Sequence, residues 1–204
     1  MTTKERIVDE ALSLFAIHGY KGTSVKNIAE AVGIKDSSLY KHFKSKQEIL
    51  DTIVRTMDRR IGDMSEAFGL PADTNMEQAV SVYAAYDEDE IVEFSKRIFL
   101  FYLKDSYISR FWRMGHIEQF SNPAVYQVYA QLFLEDSITY QIALFAELIR
   151  EKVFIEANPR VMAMNFYTPI FFLLSKYANE TADENEALET LELQVREFCR
   201  IYKA

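Results

Sequence analysis

Residues that can reverse a chain are scarce in this sequence: 6 Gly and 4 Pro among 204 residues. A sandwich or barrel needs many more tight turns, so the expectation is an all-α architecture built from long helices. Apolar residues make up 49% of the chain, enough to bury a sizeable core in one or two domains. The most apolar stretch, Val161 to Ser175, is interrupted by Asn165, Thr168 and Pro169. It falls short of the roughly 20 residues that a membrane span requires, so it reads as a core helix. Cys199 is the only cysteine and cannot form an internal disulfide, and Met1 to Arg6 is polar without an apolar signal core. These features point to a cytoplasmic protein.

Net charge is -8, which by itself disfavours a nucleic-acid partner, but its distribution is uneven. Residues 1–60 hold 11 Lys/Arg against 8 Asp/Glu, whereas residues 61–204 hold 12 against 23. Aromatics divide the opposite way: Phe15, Tyr20, Tyr40 and Phe43 are the only ones before residue 61, and 24 follow. A mildly basic, aromatic-poor head therefore precedes an acidic, aromatic-rich body.

In the head, Thr2 with Glu5 has capping-box spacing and Ile7, Ala11, Leu14 and Phe15 continue a helical stripe that Gly19 closes. A short second helix carries Val25, Ile28, Ala29 and Val32 behind Thr23 or Ser24 and stops at Gly33. A third spans Asp36 to Phe43, with Asp36 able to cap it or to accept from a base, and Ser45 with Glu48 opens a fourth. Three short helices joined by very short turns suit a helix-turn-helix.

Ile7, Ala11, Leu14, Phe15, Gly19, Tyr20, Thr23, Ser24, Val25, Ile28, Ala29, Val32 and Gly33, followed by Leu39-Tyr40-Lys41-His42-Phe43, Ser45-Lys46 and Leu50, resemble the N-terminal signature of TetR-family transcriptional regulators. The likeness runs from about Lys4 to Leu50; Lys35 and Asp36 depart from its usual pattern and leave the operator sequence open. The resemblance implies a DNA-binding domain over 1–47, a connecting helix over 45–68 and a helical regulatory and dimerisation domain over 48–204. It further implies a homodimeric repressor on a pseudo-palindromic operator, answering to a small-molecule effector. Under this reading Thr23, Ser24, Tyr40, His42 and Lys46 contact phosphates, since helix N-termini and cations suit anions. Lys35, Ser37, Ser38 and Lys41, on the recognition helix, are the candidates for base edges.

Past Leu50 the stripe Ile53, Met57, Ile61, Met64 and Phe68 extends the fourth helix towards Gly69-Leu70-Pro71, long enough to act as a connecting rod. Further helices are expected over Met76–Tyr86, behind Asp87 with Glu90, over Ser106–Met114, and from Asn122-Pro123 to Lys152 with a kink near Asp136. The last two open at Asn158-Pro159 and at Asp183 with Glu186. Their seams, Phe166, Ile170, Leu173 and Tyr177, then Leu188, Leu191, Val195, Phe198 and Tyr202, are the expected dimer interface, a four-helix arrangement implied by the resemblance. Val161, Met162, Tyr167, Phe171, Phe172 and Leu174 lie on further faces of the penultimate helix, which must be covered on more than one side, as a second subunit could do. An apolar effector pocket is expected from Phe94, Phe101, Tyr102, Phe111, Trp112, Tyr126, Tyr129 and Phe145.

His18, His42 and His116 lie far apart, and phosphate loops, nucleophile elbows and metal-ligand spacings are absent, so neither catalysis nor a cofactor or metal is expected. A helical enzyme would have to assemble Arg113, His116 and Glu118 in an aromatic cavity. A DNA-binding protein without a ligand differs from the main reading only in lacking a pocket.

Overall fold

The computed structural model describes residues 1–68, 76–178 and 183–204. In chain order the helices are α1 (Thr3–Gly22), α2 (Val25–Val32), α3 (Asp36–Leu39), α4 (Lys46–Ala67), α5 (Met76–Ala85), α6 (Glu88–Lys104), α7 (Ser106–Glu118), α8 (Pro123–Ala130), α9 (Asp136–Arg150), α10 (Pro159–Tyr177) and α11 (Glu184–Tyr202). A π-helical turn, Gln131–Glu135, separates α8 from α9 where a kink is expected near Asp136. Among the described residues the β-pairing is an isolated bridge between Phe154 and Lys203, so the fold is all-α. The expected helix end at Gly69-Leu70-Pro71 lies outside the described residues.

The chain packs as two compact units, Met1–Asp63 with Ser106–Gln131, and Met64–Asp105 with Leu132–Ala204. Packing thus groups α7 and α8 with the N-terminal helices and draws its line elsewhere than residue 47.

Caps explain where the helices begin. Thr2 Oγ1 accepts from the Glu5 N–H while the Glu5 carboxylate accepts from the Thr2 N–H; Asp87 and Glu90 repeat the pattern before α6. Asn158 Oδ1 caps α10, with Pro159 in its first turn, and Asp183 Oδ1 caps α11. Before α4 the pattern is offset: Ser45 Oγ accepts from the Glu48 N–H, but the Glu48 carboxylate accepts from the Lys44 N–H rather than from Ser45. Asp36 does not cap α3; Lys35 holds that position and the Asp36 carboxylate is left to complement the helix dipole from the first turn.

The first unit is built on α1, which packs against α2 and α7, with α3 against α2 and α8 against α7. Its core includes Ile7, Leu12, Phe15, Ile28, Leu39, Phe43, Ile49, Ile53 and Phe111, all at most 1% exposed. In the second unit α10 packs against α6, α9 and α11, α6 against α11 and α5 against α9, around a core of Leu144, Phe145, Leu148, Phe154, Met162, Ala163 and Phe198. Pro169 lies inside α10 and has no N–H to give the carbonyl of Asn165. Gln194 Nε2 of α11 donates to that oxygen at 3.2 Å, so the defect becomes a cross-link between the last two helices.

Much of the α10 and α11 seams is covered within the single chain. Leu173, Tyr177, Leu191, Val195 and Phe198 are buried within the single chain, Phe166 and Tyr202 pack on the core around Phe198, and Ile170 and Leu188 are half-buried. The side chains left outside are Val161, Met164 and Phe172 of α10 and Leu193 and Ile201 of α11, each between 46% and 70% exposed. A 3–4 apolar spacing records that a face is covered, not by what, and here the chain itself covers it. Leu191→Arg or Phe198→Asp is therefore expected to unfold the second unit, costing at least about 3 kcal/mol in urea denaturation, rather than to yield folded single subunits.

Candidate nucleic-acid interface

Gly19 has φ 73, a backbone that breaks α1 before its end. The break frees peptide groups near a buried turn, and side chains from three places close them. Thr23 Oγ1 donates to the Gly19 carbonyl at 3.0 Å. Glu118 at the end of α7, 1% exposed, accepts from the Tyr20 N–H at 2.6 Å and from Ser121 Oγ at 2.9 Å. Lys46 Nζ, from the first turn of α4, donates to the carbonyls of Tyr20 at 2.6 Å and Thr23 at 2.7 Å, where a cation suits a helix C-terminus. The same ammonium lies 4.3 Å from the centre of the Tyr20 ring, and the Tyr20 hydroxyl donates to Gln47. Burial pushes the Lys46 ammonium below the usual lysine range, and the Glu118 charge works against that. Further along α7, Arg110 donates to Asp9 Oδ1 at 2.6 Å and to Ser13 Oγ at 2.6 Å, a second attachment to α1.

On this scaffold Ser24 caps α2 through Asn27, and Gly33, φ 76, ends it with a return bond from the Ile34 N–H to the Ala29 carbonyl. Arg6 ties α1 to the same end by donating to the Val32 carbonyl at 2.6 Å. The recognition segment is shorter as an α-helix than the expected span to Phe43: α3 ends at Leu39, and the Lys41 and His42 amides bond three residues back, to Ser38 and Leu39. The segment stays coiled but tightens, as helix ends do.

The predicted DNA-contacting residues divide. Ser24, Lys35, Ser37, Tyr40, Lys41 and His42 are exposed, Ser38 is half-buried, and Leu39 and Phe43 anchor the segment from beneath. Thr23 and Lys46 instead turn inward: Thr23 is 1% exposed with its hydroxyl on Gly19, and Lys46 directs its ammonium at backbone carbonyls. Lys44, exposed between α3 and α4, is a further cation that the motif pattern does not single out, although its place beside Lys41 and His42 signals it. Lys4 of α1 lies 5.3 Å from the Phe43 ring centre, beside the same segment.

The predicted effector-binding aromatics are distributed over the two units. Trp112, Tyr126 and Tyr129 cluster in the first unit with His116, and Gly115 makes room, since a Cβ there would sit 2.4 Å from the Tyr129 ring. Phe111 is core in that unit. In the second unit Phe94 packs on Tyr83 and Tyr86, Phe101 and Tyr102 adjoin Phe133, and Phe145 belongs to the core with Phe154 and Phe198. Beside Phe133, Tyr167 donates its hydroxyl to the Phe133 carbonyl, and burial pushes that phenol up to about 12. Of the residues named for a catalytic alternative, Arg113 and His116 are exposed, while Glu118 is buried against α1.

Residues 7–53 match the family model for bacterial regulatory proteins of the tetR family. The biofilm operon icaADBC HTH-type negative transcriptional regulator IcaR of Staphylococcus aureus (strain Newman) is 31% identical over 144 residues, 70% of this chain and 68% of that protein. A TetR transcriptional regulator from Chloroflexus aurantiacus J-10-FL superposes with a TM-score of 0.67 at 16% identity, over 99% of this chain and 97% of the other. The SmeT-triclosan complex does so with a TM-score of 0.67 at 18% identity, over 100% and 93%.

Gly19→Ala puts a Cβ 2.7 Å from Glu118 Oε1 at positive φ, whereas a Cβ at Gly33 meets nothing within 4 Å. Gly19→Ala is therefore expected to cost more than Gly33→Ala, roughly 3 against roughly 1 kcal/mol, in equilibrium unfolding. The helix-turn-helix head, the all-α body and the likeness to IcaR agree: the chain belongs to the TetR family of DNA-binding transcriptional regulators.

Proposed function

We propose that this protein is an effector-responsive repressor that acts as a homodimer on a pseudo-palindromic operator, with residues 1–47 as the reading head and 48–204 as its regulatory part. The observation that carries the reading is the exposed recognition segment, with Lys35, Ser37, Lys41 and His42 raised on buried Leu39 and Phe43, in a head whose charge balance is basic. Lys35, Ser37, Ser38 and Lys41 read base edges; Ser24, Tyr40, His42 and Lys44 hold phosphates. Repression is supported by the likeness to IcaR, a negative transcriptional regulator. In a dimer, two segments about 34 to 36 Å apart enter successive major grooves.

The dimer face is the uncovered one. Val161, Met164, Thr168 and Phe172 fall on one stripe of α10, and Leu193 and Ile201 share a face of α11, so a second copy finds apolar cover there. The effector binds in the second unit, beside Phe101, Tyr102, Phe133 and Tyr167, where buried phenols would orient it. The fold shared with SmeT, a protein described with triclosan, supports an aromatic effector. Helix α4, which runs from the reading head into the second unit, carries the response, and a coupling of about 1 to 3 kcal/mol suffices for a switch.

Selection of binding sites from random DNA tests the whole reading, and a protein that enriches no sequence refutes it. On the selected operator, Lys41→Ala is expected to lower the slope of log affinity against log salt by about one unit if it also holds phosphate, and to relax one base position without changing the slope if it reads a base. Phe172→Asp with Leu193→Asp is expected to leave a folded monomer in sedimentation; a dimer that survives both refutes the proposed face.

A further inference from the structure

The peptide of Tyr20 is held from both sides by opposite charges. Glu118 takes its N–H at 2.6 Å, and Lys46 gives to its carbonyl at 2.6 Å while also reaching the carbonyl of Thr23, the residue before the Ser24 cap of α2. The two side chains come from α7 and from α4, and Glu118 is 98 residues from the group it binds. An ammonium has three N–H donors; two of those of Lys46 go to carbonyls and the Tyr20 ring covers the group. One N–H is left for any other partner.

We propose that Glu118 and Lys46 form a positioning pair for DNA binding: neither touches DNA, and together they fix the Gly19–Thr23 link and so the direction in which the N-terminus of α2 meets the phosphate backbone. The inference rests on the DNA-binding reading of α2 and α3, and it reassigns Lys46 from phosphate contact to internal clamp. It also places a residue of α7, outside every helix of the helix-turn-helix, among those that determine operator affinity. The pair works by geometry: α2 presents its first amides squarely only if the link before it holds one course, and the link has its own polar groups satisfied only with both partners in place.

The test is the salt dependence of binding, measured on a mixed-sequence duplex and on the selected operator, for Lys46→Gln, Glu118→Gln and the double variant, with Lys44→Ala as the phosphate-contact control. Glu118→Gln keeps the shape and an acceptor for the Tyr20 amide, so it tests the charge without opening a cavity; circular dichroism confirms that each variant is folded at the assay temperature. Each single variant is expected to lose about tenfold in affinity, the factor that corresponds to one charged hydrogen bond, with the salt slope unchanged. The double variant is expected to lose little more than either single one, because both act through one peptide. Lys44→Ala lowers the slope by about one unit. A fall of about one unit with Lys46→Gln would overturn the proposal, as would wild-type affinity in Glu118→Gln or full additivity in the double variant. A wild-type chain that binds neither duplex overturns the DNA-binding reading itself, whereas normal wild-type binding with any of those three results overturns the clamp alone.

Discussion

The first unit depends on satisfying a helix that stops early. Once Gly19 takes a positive φ, the amide of Tyr20 and the carbonyls of Gly19, Tyr20 and Thr23 need new partners, and each such group left buried and unpaired would cost about 1 to 3 kcal/mol. Glu118, Thr23 and Lys46 answer all four. The helices that supply those partners are thereby fixed relative to α1, and the short link into α2 inherits its course from them. A glycine at this point is a requirement of the junction, because a side chain would collide with the carboxylate that repairs it.

Arg110 and Glu118 lie two turns apart along α7 and meet α1 at Asp9 and Ser13 and at Tyr20. Two polar attachments of this kind fix both position and rotation of one helix on another, adding directional contacts to the apolar packing between them. The recognition segment needs no such polar fastening beneath it. Leu39 and Phe43 seat it, and its polar side chains stay outward.

Much of the fold is legible in the sequence, because helix starts are written in short-range chemistry. Thr2 with Glu5, Asp87 with Glu90, Asn158 with Pro159 and Asp183 each mark an end that the structure reproduces. Contacts between distant segments are another matter. The apolar spacing of Leu191, Val195 and Phe198 is the same whether a neighbour helix or a second subunit covers it, and only the packed chain shows which. Lys46 sits where a phosphate contact is expected, yet the direction of its ammonium depends on a glycine break 27 residues earlier and a carboxylate 72 residues later. The division of the aromatic residues between two packing units is not legible for a similar reason: abundance along the chain says nothing about which unit each ring enters.

The placement of Trp112 has a practical consequence. It is the chain's only tryptophan, and it packs on His116 and Tyr129 within the unit that contains α1, α2 and α3. Its emission therefore reports the surroundings of α7, the helix that closes the α1 break. Fluorescence of the unmodified protein is thus a built-in gauge of that junction, on which the course of the link into α2 depends.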